Sequence, residues 1–254
     1  MDETKLMRVG LQGVTATVDF VRRAATPERR TAPDHHSIIP EATYSPWRTD
    51  GLFRAVLQQV RANTLVDVTR LYELWSLAGQ MASVPGDFLE VGVWRGGSAA
   101  LVAMRFRQTA AASRRAILCD TFTGVALAGD MDGTYRGGEH ADTSVATVEA
   151  LFQRCELPAP TINVGIFPQD TLAEIDSTAL SLVHIDVDVY ESALNATEAI
   201  WARVSKGGVV VFDDYGFVKT QGVRRAVDQL GEKLPGCLRL HNLNGHGLLI
   251  KVEP

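Results

Sequence analysis

The chain has 254 residues, of which 46% are hydrophobic and 22% are charged. These proportions are typical of folded globular proteins and exclude a largely disordered or fibrous chain. The formal net charge is −5, which argues against a nucleic-acid-binding surface because such surfaces are strongly basic. The absence of any apolar run near the roughly 18 residues of a membrane helix argues against a membrane protein. Three cysteines without a CxxC pair and no signal-peptide pattern predict a cytoplasmic protein without a disulfide framework.

The first third of the chain is predicted to be helical and to belong to the same domain as the rest. Residues 1–84 contain an amphipathic stretch at 6–23 and a polar, proline-containing arm at 26–41, followed by helical spacing of apolar residues at 50–81. We expect two helices in this last segment, which cover one flank of the C-terminal region. The arm is a candidate contact between copies of the chain, so we expect a homo-oligomer.

Residues 85–254 show short apolar runs that alternate with longer stretches of helical spacing. This rhythm is typical of βαβ units and of a parallel sheet covered on both faces. Near the end, two apolar runs flank the short turn at 244–247, which predicts an antiparallel hairpin. The sequence therefore predicts an α/β fold with a doubly wound, mostly parallel seven-stranded sheet of the class I methyltransferase (Rossmann-like) kind. The expected strands are at 88–93, 116–119, 161–164, 182–185, 209–212, 238–243 and 248–252.

A glycine-rich turn follows the first predicted strand and opens a helix, with the sequence EVGVWRGGS at residues 90–98. Its spacing is GxxxG, whereas a pyrophosphate-binding turn would have GxGxxG. Glu90 would repel a phosphate but suits a cofactor that carries an ammonium or sulfonium group. Asp120, at the end of the second strand, can accept from both ribose hydroxyls, and Phe122 could lie against an adenine or belong to the core. The pattern favours S-adenosylmethionine, with NAD or a purely structural turn as alternatives.

Four aspartates follow the fourth and fifth predicted strands: Asp186, Asp188, Asp213 and Asp214. Side chains two apart in a strand share a face, so we expect Asp186 and Asp188 to point the same way. The carboxyl ends of neighbouring parallel strands meet at one edge of a sheet, where ligands bind. Crowded carboxylates are costly without a compensating cation, and oxygen ligands favour Mg²⁺. The alternative is that some of them cap helices or turns. His184, inside an apolar strand, is more typical of a core histidine than of a base.

Taken together, the motifs resemble those of the macrocin/mycinamicin-type O-methyltransferases. These enzymes methylate sugar hydroxyls in antibiotic tailoring, using S-adenosylmethionine and Mg²⁺. The resemblance covers roughly residues 60–230, and its ordered set of motifs is more specific than the glycine turn alone. The matching segments are 85–97, 120–124, 143–148, 165–172, 186–190 and 213–215.

The resemblance implies a role for each matching residue. It implies that Asp186, Asp213 and Asp214 are metal ligands and that Asp188 is the general base. The cofactor contacts expected from the motifs and the resemblance are Thr64, Glu90, Gly92, Ser98, Asp120, Thr121, Phe122, Asp142, Ser144 and Asp186. Two departures stand out: the family's Asp-Gly-Asp is Asp-Val-Asp here, and the expected substrate lid at 130–140 keeps little of the family's sequence.

The resemblance implies a small glycosylated natural product as the acceptor. A second interpretation of the residues is a catechol- or phenol-type O-methyltransferase that uses a bound metal in the same way. A third is a non-catalytic protein that binds a nucleoside or forms oligomers.

Overall fold

The computed structural model describes residues 34, 35, 38 and 42–253. The chain divides into two units, residues 1–44 and 45–254, and the second contains the sheet and its helices. The amphipathic stretch at 6–23 and most of the arm at 26–41 lie outside the described residues, so their predicted role in oligomer contacts stays a prediction. Among the described residues, every helix is too short or too polar to span a bilayer.

Two helices precede the sheet, as predicted. Helix α1 spans Gly51–Val60 and α2 spans Val68–Gln80. Each begins after an aspartate whose carboxylate accepts from backbone N–H groups of the first turn, Asp50 for α1 and Asp67 for α2. Such caps satisfy N–H groups that have no partner inside the helix.

Seven strands form one sheet in the order β3-β2-β1-β4-β5-β7-β6. The first five run parallel, and β7 pairs antiparallel with both β5 and β6. This confirms the predicted mostly parallel sheet with a C-terminal hairpin. The strands are β1 Asp87–Val91, β2 Ala116–Asp120, β3 Thr161–Val164, β4 Leu180–Ile185, β5 Val204–Phe212, β6 Cys237–His241 and β7 Gly247–Lys251.

The remaining helices cover both faces of the sheet. They are α3 Gly97–Arg107, α4 Val145–Arg154, α5 Tyr190–Ile200 and α6 Gln221–Lys233. One buried apolar cluster joins the sheet to α1, α2, α3 and α4, and a second joins it to α5 and α6. The chain order reverses between β1 and β4, and open α/β sheets bind ligands at the carboxyl ends of the strands at such a point.

Candidate active site

A cavity of about 460 Å³ opens at the carboxyl ends of the central strands. Its wall is built from the turn after β1, the end of β2, and the residues that come after β4 and β5. The loop at 63–66, the segment at 124–140, Arg70 of α2 and the residues at 165–167 that follow β3 contribute further lining. The cavity therefore lies at the crossover between β1 and β4.

The glycine turn brings backbone close to this cavity. Gly92 has a φ of +82° and a Cβ there would lie 1.8 Å from the carbonyl oxygen of Asp186, so only glycine fits. The Asp120 carboxylate holds the same turn, because its Oδ2 accepts from the N–H groups of Val93 (2.6 Å) and Trp94 (2.9 Å). Its Oδ1 accepts from the N–H of Phe122 at 2.6 Å. The turn and the end of β2 are thus fastened to each other.

The predicted cofactor residues fall into two groups. Six of them line the cavity: Thr64, Gly92, Ser98, Asp120, Thr121 and Asp186. The other four, Glu90, Phe122, Asp142 and Ser144, lie outside its wall.

Three members of the second group have partners within the protein. Glu90 is fully buried, and its Oε1 lies 2.6 Å from Nδ1 of His184. Asp142 accepts from Trp94 Nε1 at 2.9 Å and from Arg95. Ser144 caps α4 by accepting from the N–H of Thr147.

The aspartates after β4 and β5 converge in the cavity. Carboxylate oxygens of Asp186, Asp213 and Asp214 all lie within 4.8 Å of one another. Asp188 also lines the cavity, and its N–H donates to Oδ2 of Asp214 at 3.2 Å. The expected strand alternation at Asp186 and Asp188 was wrong, however. The strand ends at Ile185, and Asp188 has a φ of +64°, so a turn in the left-handed region, and not an extended strand, places Asp188.

The charges of this cluster are unevenly compensated. Burial and the neighbouring Asp213 carboxylate raise the pKa of Asp186 well above its usual range, and burial and Asp188 do the same for Asp214. Asp213 differs: burial alone would raise its pKa, but His184, His246 and Arg70 hold it well below the usual range. Within the described residues, Asp186 and Asp214 are therefore less well compensated than Asp213.

The donor set fits a hard divalent cation. All three adjoining ligand atoms are carboxylate oxygens, the type that Mg²⁺ prefers and that does not select Zn²⁺. A dication would also supply the positive charge that Asp186 and Asp214 need in order to ionise.

Several residues at this site were not singled out from the sequence. Arg70, from α2, donates to Oδ2 of Asp213 and lies 4.7 Å from the centre of the Phe217 ring. Tyr135 interacts with Asp188, and Nε2 of His140 is 4.0 Å from Oδ2 of Asp188. Burial raises the pKa of Asp188, and burial together with the Asp188 carboxylate raises the pKa of Tyr135. These residues come from distant parts of the chain, so no local motif marks them.

The segment at 124–140, which includes the predicted lid, is fastened by a buried aspartate. Asp132 is 4% exposed, and its Oδ1 accepts from the N–H of Tyr190, the first residue of α5. Its Oδ2 accepts from the N–H of Gly129 at 3.1 Å. Because α5 starts two residues after Asp188, this contact fixes the lid segment beside the acidic cluster.

Comparison with known proteins identifies the family. Residues 38–234 match the family of macrocin O-methyltransferases (TylF). The chain belongs to this family. The match covers the loop at 63–66, all of the glycine turn and the acidic cluster, and ends just after α6. The resemblance predicted from the motifs is therefore confirmed.

Relatives from antibiotic producers share part of the sequence. The 8-demethyl-8-(2,3-dimethoxy-alpha-L-rhamnosyl)-tetracenomycin-C 4'-O-methyltransferase of Streptomyces olivaceus is 33% identical over 61% of this chain and 63% of its own length. The mycinamicin III 3''-O-methyltransferase of Micromonospora griseorubida is 29% identical over 61% of this chain and 65% of its own length. The chain thus spans less than two thirds of the length of these relatives.

Solved structures show the same fold. The O-methyltransferase NovP superimposes with a TM-score of 0.65 at 24% identity, covering 75% of this chain and 83% of NovP. The calicheamicin methyltransferase CalS11 gives a TM-score of 0.62 at 21% identity, covering 86% of this chain and all of CalS11. The sheet is therefore of the class I methyltransferase kind, as predicted.

Proposed function

We propose that this protein transfers a methyl group from S-adenosylmethionine to a sugar hydroxyl of a glycosylated natural product, with Mg²⁺ bound at the acidic cluster. The observation that carries the proposal is the convergence of Asp186, Asp213 and Asp214 in the cavity that the glycine turn also lines. A nucleoside site and a hard-cation site in one cavity match the requirements of metal-assisted methyl transfer. A relative named as an O-methyltransferase of a rhamnosyl-tetracenomycin supports the choice of acceptor.

The cofactor would lie along the glycine turn. Among the described residues, no side chain caps the start of α3, so the first amides of that helix would be able to donate to a ligand. An ionised carboxylate has about four acceptor positions. Asp120 uses three of them on backbone N–H groups, which leaves about one for a ribose hydroxyl. Thr64, Ser98 and Thr121 line the same part of the cavity. Glu90 and Asp142 would act through the segments they hold, since both lie outside the wall.

Asp186, Asp213 and Asp214 would hold the cation, which when bound supplies a Lewis acid that lowers the pKa of the acceptor hydroxyl. Asp188 would accept the proton of that hydroxyl at a carboxylate oxygen. Tyr135 and His140 border Asp188 and would orient it and the sugar. The cavity wall would hold the hydroxyl oxygen in line with the methyl group. This alignment would speed the reaction, because the two reactants would not have to meet in the correct orientation by diffusion.

Methyl transfer to defined acceptors tests this proposal. We expect transfer from S-adenosylmethionine to mycinamicin III or to the rhamnosyl-tetracenomycin acceptor, abolished by EDTA and restored by Mg²⁺. Asp213→Ala should lose most of the rate and its Mg²⁺ response, because the cation would lose a ligand. Calorimetry should show that this variant still binds S-adenosylhomocysteine.

Three results would contradict the proposal. Full activity in EDTA would contradict the role of the metal. Preferential binding of NAD would remove the cofactor assignment. Faster transfer to a catechol than to either sugar would favour a phenol-type enzyme.

A further inference from the structure

Two residues outside the cavity wall, His246 and Glu73, are linked to the acidic cluster through Asp213. His246, in the turn between β6 and β7, is fully buried, and its Nε2 lies 3.0 Å from Oδ1 of Asp213. Its Nδ1 lies 2.6 Å from Oε2 of Glu73, a residue of α2. A carboxylate, an imidazole and a second carboxylate thus form a continuous chain that ends on one of the aspartates in the cavity.

This chain is fixed along its length. Asn244 donates to Oε2 of Glu73 at 2.8 Å, and Asn242 donates to Oε1 of the same carboxylate. The N–H of His246 in turn donates to Oδ1 of Asn244 at 3.0 Å. The hairpin turn therefore binds Glu73 at both oxygens and leaves the imidazole a single orientation, with Nε2 toward Asp213.

Asp213 is consequently held at both of its oxygens, since Arg70 donates to Oδ2 and His246 contacts Oδ1. Asp214, by comparison, accepts at Oδ2 from the N–H of Asp188. A carboxylate whose two oxygens both have fixed partners keeps one rotamer. Residues that hold a metal ligand in this way, without touching the metal, determine how tightly the ligand binds its cation.

We propose that Glu73 and His246 are positioning residues that fix Asp213 for binding of the divalent cation. The inference rests on the proposed function, because it assigns a role in the same site. It adds a specific task for the C-terminal hairpin, whose turn carries His246 into the centre of the fold. Neither residue touches the acceptor or the cofactor in this assignment.

Binding of Mn²⁺ to the full chain, followed by electron paramagnetic resonance, tests the proposal without an acceptor. Glu73→Gln and His246→Leu should weaken Mn²⁺ binding by about 10- to 100-fold, the usual effect of losing a residue that holds a metal ligand in place. His246→Gln should lie between wild type and His246→Leu, because its amide can still donate toward Asp213. His241→Gln, an exposed position on the same hairpin, is the matched control and should bind Mn²⁺ like wild type.

Binding of S-adenosylhomocysteine should stay unchanged in every variant, which separates lost positioning from lost folding. If His246→Leu does not fold, the isosteric Glu73→Gln still decides the question. Wild-type Mn²⁺ affinity in Glu73→Gln and in a folded His246 variant would overturn the positioning role alone. Nitrogen couplings of a directly bound imidazole in pulsed spectra would also overturn it if they disappear in His246→Leu, since His246, and not the neighbouring His184, would then be a ligand. Failure of the wild-type chain to bind Mn²⁺ would contradict both this inference and the metal of the proposed function.

Discussion

Asp188 differs from its three acidic neighbours in what surrounds it. It lies outside the set of three whose oxygens adjoin, and it has Tyr135 and His140 beside it on the lid segment. Its left-handed backbone turns the residue away from the direction that an extended strand would give. A carboxylate next to the proposed cation site, but not within it, is suited to accept a proton rather than to bind the metal.

We predict that Asp188→Asn keeps Mn²⁺ and S-adenosylhomocysteine binding and loses kcat by roughly 100-fold, the scale of general-base catalysis. The amide preserves the size of the side chain but cannot take a proton. Initial rates with a sugar acceptor, together with binding titrations, check this. Asp176→Asn, an exposed aspartate paired with Arg115, serves as the control. Retention of most of the rate would favour a phenol acceptor, which ionises without a strong base.

The aspartates could be predicted as a group, but their supporting residues could not. Asp186 and Asp213 each come directly after an apolar run, and the crossover rule places such positions at one edge of the sheet. Arg70 and His246 reach Asp213 from a helix before the sheet and from a turn after it, and Glu73 reaches His246. Nothing in the local sequence of these three residues distinguishes them from ordinary surface or hairpin residues. Contacts of this kind depend on tertiary packing.

At the scale of elements, strands and helices were predictable because apolar periodicity is strong in both. The hairpin is an example: two apolar runs flank Asn244-Gly245, and β6 and β7 pair as expected. The start of β5 was less visible. Its apolar run begins at Val209, yet the strand extends from Val204, with an irregularity in its pairing with β4. Because residues 205–208 are polar or glycine, the apolar pattern of the sequence does not show this extension.

The lid segment is fastened at the junction of two helices. Asp132 accepts from the first residue of α5, and Gly222 in the first turn of α6 lies against it. A Cβ at Gly222 would lie 1.9 Å from Oδ1 of Asp132 and 3.0 Å from the N of Tyr190. The fit leaves no space for a methyl group, so the conformation of the lid depends on a helix that it does not belong to.

We therefore predict that Gly222→Ala releases the lid segment. Trypsin should cut after Arg136 several times faster than in wild type, and the KM for the acceptor should rise, because the lid would no longer be held beside Asp188. Gly231→Ala in the same helix is the matched control, since its Cβ would crowd the exposed side chain of Arg239 and not Asp132. Equal cleavage rates in the two variants would show that Asp132 does not fasten the lid.

At the scale of the whole molecule, the site concentrates negative charge in the interior. His184 responds to this charge: burial alone would lower its pKa, but its contacts with Asp213 and Glu90 raise it from 6.5 to about 10. Asp186 and Asp214 also have raised pKa values. In all three groups the folded state holds its proton more tightly than the unfolded state does. The stabilisation they give is complete below the unfolded pKa and is lost as pH rises through the folded pKa.

The metal-free protein should therefore lose stability as pH rises from about 6.5 toward about 10, the window set by His184. Carboxylates with lowered pKa values, such as Asp213 and Glu73, act in the opposite direction, but only at acid pH, where they take up protons. They leave the alkaline window unaffected. A bound dication would replace protons at Asp186 and Asp214, so its stabilising effect should grow with pH.

We predict that the Tm measured in EDTA falls between about pH 6 and about pH 9, and that Mg²⁺ raises the Tm more at the higher pH. Differential scanning calorimetry at both pH values, with and without Mg²⁺, checks this. Asp214→Asn should reduce both the fall and the Mg²⁺ effect, because it removes one of the carboxylates that must otherwise ionise without a partner. Glu232→Gln removes one exposed carboxylate of α6 and should behave like wild type. A Tm in EDTA that is flat across this range, or an Mg²⁺ effect of equal size at both pH values, would mean that the buried charges are already balanced without a cation.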